Sequence, residues 1–123
     1  MTDAISLHVL CRYENARPKG LKLLDPKTGL YESYSWRVGD DQLEGLKGKT
    51  FCMHQSKSED SYLSGEIVGI VRRKIEDNNG EERAVVTFTK NPKCKGIKWP
   101  PTNNPNEYCH VNADVPLELL RKR

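Results

Sequence analysis

The chain has 123 residues, of which 36% are hydrophobic and 30% charged, and its formal net charge is +3. This length suits one compact unit with a small core, so we expect residues 1–123 to form a single domain. The sequence has neither an apolar run long enough for a bilayer nor the apolar stretch of a signal peptide, which predicts a soluble, cytoplasmic protein.

The first strand is predicted over residues 5–13, where apolar and polar side chains alternate with the period of a β-strand. Leu10 interrupts the polar side of this alternation, so we expect that side to be partly covered. A loop is predicted over residues 14–20. A turn is predicted over Asp25–Gly29 (DPKTG), which has the residue types that turns prefer.

The middle of the chain predicts two further strands and a short helix. Residues 30–38 form the second predicted strand, with Tyr34 and Trp36 expected on one face. An aspartate caps a predicted helix over about residues 41–46, and glycines end it. The third predicted strand covers residues 49–56.

Two β-branched runs, residues 66–75 and 83–89, flank the sequence Asp77-Asn-Asn-Gly80 and predict a β-hairpin. Residues 115–123 are consistent with either a short strand or a short helix, and Pro116 disfavours both. The predicted fold class is therefore α+β, a small mixed β-barrel of five or six strands with one to three short flanking helices.

The stretch from Lys90 to His110 is basic and rich in Pro and Asn, which excludes a helix or a central strand there. Residues 84–123 hold seven Lys or Arg against three Asp or Glu. Trp99 lies between Lys98 and two prolines. A stiff aromatic among cations suits stacking on a flat ring while lysines hold an anionic backbone. The alternative is that Trp99 fills a small core from this loop.

No phosphate-binding loop, dinucleotide-binding glycine motif or Cys-x-x-Cys pair is present, so we expect no cofactor and no metal. The four cysteines are expected to be reduced thiols. Histidines 8, 54 and 110 are the possible general bases, but no local signature joins one of them to a nucleophile.

The two tryptophans suggest a pocket for a planar base. Trp36 and Trp99 are expected to stack on its faces, while Ser35, His54 or Ser56 offers hydrogen bonds to its edge. The alternative for Trp36 is that it simply faces the core at the period of a strand.

A resemblance to a known family covers about residues 30–100. Residues 48–56 (GKTFCMHQS) followed by 65–71 (GEIVGIV) resemble the central signature of the PUA-like superfamily, most closely that of EVE domains. Those domains carry a glycine, a hydrophobic strand ending in His-x-Ser or similar, and then a Gly-x-Ile-x-Gly strand. Residues 34–36 and 98–100 are similar in placement to the pocket aromatics of EVE and YTH domains. The short predicted helices and the Asn-rich segment after Trp99 depart from the pattern.

The resemblance implies a small β-barrel whose pocket admits a flipped or modified base. We therefore predict a monomeric nucleic-acid-binding module for DNA or RNA that holds one base, plain or modified. The predicted base pocket consists of Tyr34, Ser35, Trp36, His54, Ser56, Tyr62 and Trp99, and the predicted phosphate contacts are Lys93, Lys95 and Lys98. These residues are expected to converge on one cleft at a rim of the barrel, with Lys98 at its edge.

Two alternatives come from other functional classes. The first is a small hydrolase or nuclease that uses His54 with Ser56, Cys52 or His110, as the related ASCH domains suggest. It requires a nucleophile and a histidine within hydrogen-bond reach at the base of a cleft. The second is a protein-interaction domain, which requires an exposed apolar patch around Trp99.

Overall fold

The computed structural model describes residues 5–11, 13–14, 17–18, 21–36, 45–74, 82–91, 96–100, 109–113 and 115–120. Strands dominate these ranges. They are β1 (Ser6–Leu10), β2 (Tyr13–Glu14), β3 (Arg17–Pro18), β4 (Leu21–Asp25), β5 (Leu30–Trp36), β6 (Thr50–His54), β7 (Leu63–Lys74), β8 (Glu82–Lys90) and β9 (Cys109–Asn112), and a short helix α1 (Leu117–Leu120) follows them.

Seven of the strands form one mixed sheet in the order β4-β5-β8-β7-β6-β1-β9. The pair β1–β6 is parallel and the other neighbouring pairs are antiparallel. In the described ranges β4 and β9 are the edges of this sheet, while β2 and β3 form a separate two-stranded ribbon. A domain dominated by mixed β-structure is thus confirmed, with more strands than the five or six predicted.

The predicted hairpin is confirmed in its strands. β7 and β8 pair from Gly65 with Lys90 to Lys74 with Glu82, and the Asn-Gly turn itself lies outside the described residues. Gly65 is required by this pairing, because a Cβ atom there would overlap the backbone carbonyl of Thr89 on β8. The turn at Asp25–Gly29 is also present. Its Asp25 carboxylate accepts a hydrogen bond of 3.0 Å from the Lys27 N–H, and Gly29 has a φ of 70°.

The structure adds β4 to the predicted strands and decides between the two alternatives for the C-terminal element. Strand β4 was not predicted, because its sequence LKLLD lacks alternation; it pairs on one side only, and its central residues are exposed. At the C-terminus the structure selects the helix, α1. Of the helix predicted near residues 41–46, only Gly45 and Leu46 are described, and both are helical. The described helical residues form no segment with the length and hydropathy needed to cross a bilayer.

The main core lies on one face of the sheet and collects side chains from five neighbouring strands. Two bulges help to curve the sheet around it, one in β7 between Ile67 and Gly69 and one in β5 between Tyr34 and Trp36. The buried members of this core are Leu7, Val9, Cys11, Trp36, Leu46, Phe51, Met53, Leu63, Ile67, Ile70, Ala84, Val86 and Phe88.

The bulge in β5 corrects the predicted face of Trp36. Trp36 pairs with Ala84 although Tyr34 already pairs with Val85, so Ser35 is an extra residue. The extra residue moves Trp36 onto the face of Ser33, and the Trp36 indole Nε1–H donates a 2.9 Å hydrogen bond to the Ser33 Oγ.

The opposite face of β6, β1 and β9 is covered, and it carries buried polar side chains beside a small apolar cluster of Cys52, Ile97 and Leu120. Ser6, His8 and Asn112 have 1% or less of their surface exposed. The segment 96–100 lies near the loop after β6, because the Ser61 N–H donates to the Ile97 carbonyl and the Ile97 N–H donates to the Ser61 Oγ. The same segment contacts α1, since the Lys98 N–H donates to the carbonyl of the last residue of that helix. The expectation that the polar side of β1 is covered is confirmed.

Candidate functional site

Trp99 lies at the centre of a group of aromatic rings on the covered face of the sheet. Its ring centroid is 5.1 Å from that of His54, 5.9 Å from that of His8 and 6.4 Å from that of His110. The contacts with His54 and His8 are edge-on, with interplanar angles of 73° and 63°. We call these four residues the Trp99 cluster. Strand pairing assembles it, because His8 on β1 lies directly opposite His110 on β9.

A chain of buried hydrogen bonds runs behind Trp99. The Asn112 amide nitrogen is 3.0 Å from the Ser6 Oγ, which is 2.8 Å from the His8 Nε2. The His8 Nδ1 is 3.0 Å from the His54 Nε2, and the His54 Nδ1 is 3.0 Å from the Glu59 backbone carbonyl. We call this the Asn112–Glu59 chain. It connects β9, β1 and β6 to the loop after β6, and its His8 and His54 are 46 residues apart in sequence.

The two histidines of this chain are neutral at physiological pH. Burial, together with the neighbouring His54 and His110 rings, lowers the pKa of His8 from 6.5 to about 2. Burial also lowers the pKa of His54, against opposing effects of its hydrogen bond to the Glu59 carbonyl and of the Asp60 charge. Because each ring uses both nitrogens within the chain, neither has a free nitrogen lone pair to bind a metal ion.

One cation lies over the Trp99 ring. The Lys57 ammonium is 5.6 Å from the ring centroid, within the range of a cation–π interaction. Lys57 belongs to residues 54–61, which we call the His54 loop. The hydrogen bond from the His54 Nδ1–H to the Glu59 carbonyl closes this loop. Within the loop the Glu59 N–H donates to the Ser56 carbonyl at 3.3 Å.

Trp99 is nearly buried, with 8% of its surface exposed. Its indole Nε1 is buried as well and has no hydrogen-bond acceptor among the residues that the structure describes. An unsatisfied buried N–H costs about 1–3 kcal/mol. The exposed part of the surroundings is polar, since Lys98 is exposed and Lys57 and His110 are half-buried. Among the residues that the structure describes, those nearest Trp99 on the surface are therefore polar, and the protein-interaction hypothesis stays a prediction.

Among the predicted pocket residues, His54 and Trp99 are in contact, and Ser56 lies in the His54 loop beside them. Tyr62 turns toward the main core, where its hydroxyl donates a 2.6 Å hydrogen bond to the Cys11 carbonyl. Tyr34 and Ser35 lie at the bulge of β5. Of the predicted phosphate contacts Lys98 is exposed, whereas Lys93 and Lys95 lie outside the described residues.

The structure does not bring Trp36 to Trp99, which corrects the expected sandwich. Trp36 of β5 is 9% exposed and packs in the main core. This core also contains Phe51 and Met53, which lie on one face of β6. Trp99 packs on His54, on the other face of the same strand. Trp36 is also in register, through Ala84, with Arg72 on β7, whereas Met53 is in register with Leu63. Leu63 and Arg72 are nine residues apart along β7. The two tryptophans are associated with opposite faces of the sheet because of the bulge in β5 and the alternation of side chains along β6.

The Asn112–Glu59 chain has the order of a nucleophile, a base and an orienting group, but solvent and substrate have no access to it. Ser6, His8 and His54 stand in that order, at 2.8 Å and 3.0 Å. All three have 0% exposure, and the Ser6 Oγ also accepts a hydrogen bond from Asn112. A substrate carbonyl or phosphorus cannot reach the Ser6 oxygen in this conformation, so the geometry does not favour Ser6 as a nucleophile.

Sequence reasoning missed Ser6, His8 and Asn112 as members of the Asn112–Glu59 chain and Lys57 as a neighbour of Trp99. A signal for the first two was present: they alternate with Leu7 and Val9 on a strand whose polar side was expected to be covered. Polar residues on a covered face need hydrogen-bond partners, which predicts a buried polar network. Asn112 and Lys57 carried no comparable signal, since both reach the site through tertiary contacts.

Comparison of the chain with protein-family models, curated proteins and solved structures finds no match. The resemblance to PUA-like and EVE domains therefore stays a prediction, and the function has to be argued from the Trp99 cluster itself.

Proposed function

We propose that this protein is a nucleic-acid-binding module that holds a base, plain or modified, against Trp99. The observation that carries the proposal is the Lys57 ammonium over the Trp99 ring, 5.6 Å from its centroid. A lysine side chain is long and flexible, so its ammonium can leave the ring for a phosphate oxygen. A base then stacks on the aromatic face that the lysine has left, as in other sites that bind single strands.

The charge around Trp99 also supports this site. Lys98 is exposed next to Trp99 in sequence, so a cation stands where the backbone of a stacked nucleotide would pass. Lys93 and Lys95 extend this basic segment in the sequence.

The proposed site is smaller than the pocket expected from the sequence. It keeps Trp99, Ser56 and Lys98 as contacts and adds Lys57. His54 supports Trp99 from behind, because both of its ring nitrogens are already hydrogen-bonded. Trp36 and Tyr62 belong to the main core instead.

The finer fold assignment belongs to the same proposal: a PUA-like, EVE-like mixed β-barrel. It is supported by the single parallel pair within the antiparallel sheet and by the bulges that curve β5 and β7 around one core. A curved sheet of this kind leaves a covered outer face on β1 and β6, where the Trp99 cluster lies.

The test is a binding assay with single-stranded and double-stranded oligonucleotides, DNA and RNA, carrying plain and modified bases, at low and moderate salt. Trp99→Leu should weaken binding by about 1–3 kcal/mol, the typical value of one stacking ring. The matched control is Trp36→Phe in the main core, which should leave the affinity of the folded protein unchanged. Failure of every oligonucleotide to bind at low salt would overturn the proposal.

A further inference from the structure

The Asn112–Glu59 chain is anchored at both ends by backbone groups whose roles cannot change. At one end the Val115 N–H donates to the Asn112 Oδ1 at 3.0 Å, so the amide nitrogen must point the other way. That nitrogen donates one hydrogen to the Val115 carbonyl at 2.8 Å and the other to the Ser6 Oγ at 3.0 Å. At the other end, the Glu59 carbonyl can only accept, so the His54 Nδ1 must carry a hydrogen.

The direction of every link between these ends follows. A neutral His54 with its hydrogen on Nδ1 has an acceptor at Nε2, so the His8 Nδ1–H donates to it. The neutral His8 then has an acceptor at Nε2, which receives the Ser6 hydroxyl hydrogen. The Ser6 Oγ is free to donate that hydrogen, because it accepts from Asn112. Both ends therefore require every hydrogen bond to be donated in the direction from Asn112 to Glu59. Each polar atom along the chain then has the donor or acceptor that it needs.

From this we infer, on the basis of the proposed function, that Ser6, His8 and Asn112 are positioning residues for the nucleic-acid site. The chain holds both histidine rings in one orientation and one tautomer, with the hydrogen on Nδ1. The edge-on contacts of His8 and His54 with Trp99, with interplanar angles of 63° and 73°, then fix the plane of the indole ring. The bond from His54 to Glu59 fixes the His54 loop and hence the position from which Lys57 reaches that ring.

The Asn112–Glu59 chain also ties two segments outside the sheet, the turn before α1 and the His54 loop, to strands that the sheet already pairs. Asn112 binds the turn before α1 through Val115, Ser6 and His8 belong to β1, and His54 closes its own loop. The side chains involved are buried, so water does not compete for the bonds that join them to one another. Loss of one link leaves a buried polar atom without a partner, and the neighbouring rings lose their restraint.

The first test needs no ligand and reads the imidazole nitrogens by ¹⁵N NMR at neutral pH. The inference predicts that His8 and His54 both carry a single hydrogen, on Nδ1. A hydrogen on Nε2 of either ring, or a doubly protonated ring, would overturn it. Because this readout is independent of binding, it separates the failure of the chain from the failure of the proposed nucleic-acid function.

The second test compares Ser6→Ala with Ser33→Ala, a serine that is equally buried but bonded to Trp36. Ser6→Ala should shift the NMR signals of Trp99 and of the His54 loop and reduce oligonucleotide affinity about tenfold, the equivalent of one lost hydrogen bond. Ser33→Ala should do neither. To distinguish the hydroxyl from side-chain shape, Ser6→Thr should retain more affinity than the isosteric Ser6→Val. Unchanged Trp99 and loop signals in folded Ser6→Ala would contradict the inference.

Discussion

The face of the sheet that carries the Trp99 cluster holds four buried polar side chains that hydrogen-bond to one another, Ser6, His8, His54 and Asn112. The main core is apolar, whereas the opposite face of β1 and β6 holds Ser6, His8 and His54, each with 0% exposure. Burying such groups without partners would cost several kcal/mol, and the Asn112–Glu59 chain removes that cost by pairing them with each other. At the residue scale, the stability of this face depends on both histidines remaining neutral.

This dependence predicts how stability changes with pH. Burial, together with the neighbouring histidine rings, lowers the pKa of His8 from 6.5 to about 2, so below pH 6.5 the unfolded chain binds a proton that the folded protein does not. The stabilisation is therefore complete above pH 6.5 and is lost as the pH falls, by up to about 1.4 kcal/mol per pH unit for each such histidine. His54 contributes in the same direction.

Denaturant unfolding between pH 7 and pH 5, where carboxylates titrate little, measures this slope. His8→Gln, compared with the unsubstituted protein, should flatten it. A free energy of unfolding that stays constant over this range would show that the buried histidines are not neutral partners in the folded state.

At the scale of elements, the β7–β8 hairpin organises the sheet. It pairs over nearly its full length and supplies six residues of the main core. Gly65 lies where β8 approaches most closely, and Gly69 lies at the bulge of β7 with open space beside it. These two glycines of one strand therefore have different structural roles.

The difference predicts opposite results for the same substitution. Gly65→Ala places a methyl group against the Thr89 carbonyl and should destabilise the protein by about 1–3 kcal/mol, as overpacking does. Gly69→Ala is the matched control and should change stability by no more than about 1 kcal/mol, because nothing lies within 4 Å of the added atom. Thermal unfolding of the two variants checks this, and equal stabilities would contradict the described register of β7 and β8.

At the scale of the whole molecule, the net charge of +3 is too small to explain nucleic-acid binding, so the position of the lysines matters more than their number. Lys57 and Lys98 are close to Trp99, one over its ring and one beside it in sequence. Lys27 is an exposed lysine in the turn between β4 and β5, a different part of the sheet.

The salt dependence of binding should reflect this distribution. Lys57→Ala and Lys98→Ala should each reduce the slope of log K against log salt by about 0.7–1, the contribution of one phosphate contact. Lys27→Ala should leave the slope unchanged. The measurement is a titration by fluorescence anisotropy at several salt concentrations. Equal slopes for all three variants would place the nucleic acid elsewhere on the molecule.

The sequence predicts local structure well where residue type and hydrophobic periodicity determine it. The turn at Asp25–Gly29 and the strands of the β7–β8 hairpin follow from turn residues and β-branched runs. The prediction of the buried face fails for Trp36, because the extra residue in β5 moves this side chain to the other face. A bulge cannot be recognised from the alternation of apolar and polar residues. The contact of His8 with His54 depends on the parallel pairing of β1 and β6, which is a property of the topology.

The most direct test of the central claim uses Trp99 as its own reporter. The chain has two tryptophans, so Trp36→Phe leaves Trp99 as the single source of tryptophan fluorescence. The proposed function predicts that an oligonucleotide bound at low salt quenches this emission saturably, and that the same titration at moderate salt requires more oligonucleotide. Oligonucleotide binding that leaves the emission of Trp99 unchanged would contradict the claim that Trp99 holds the base.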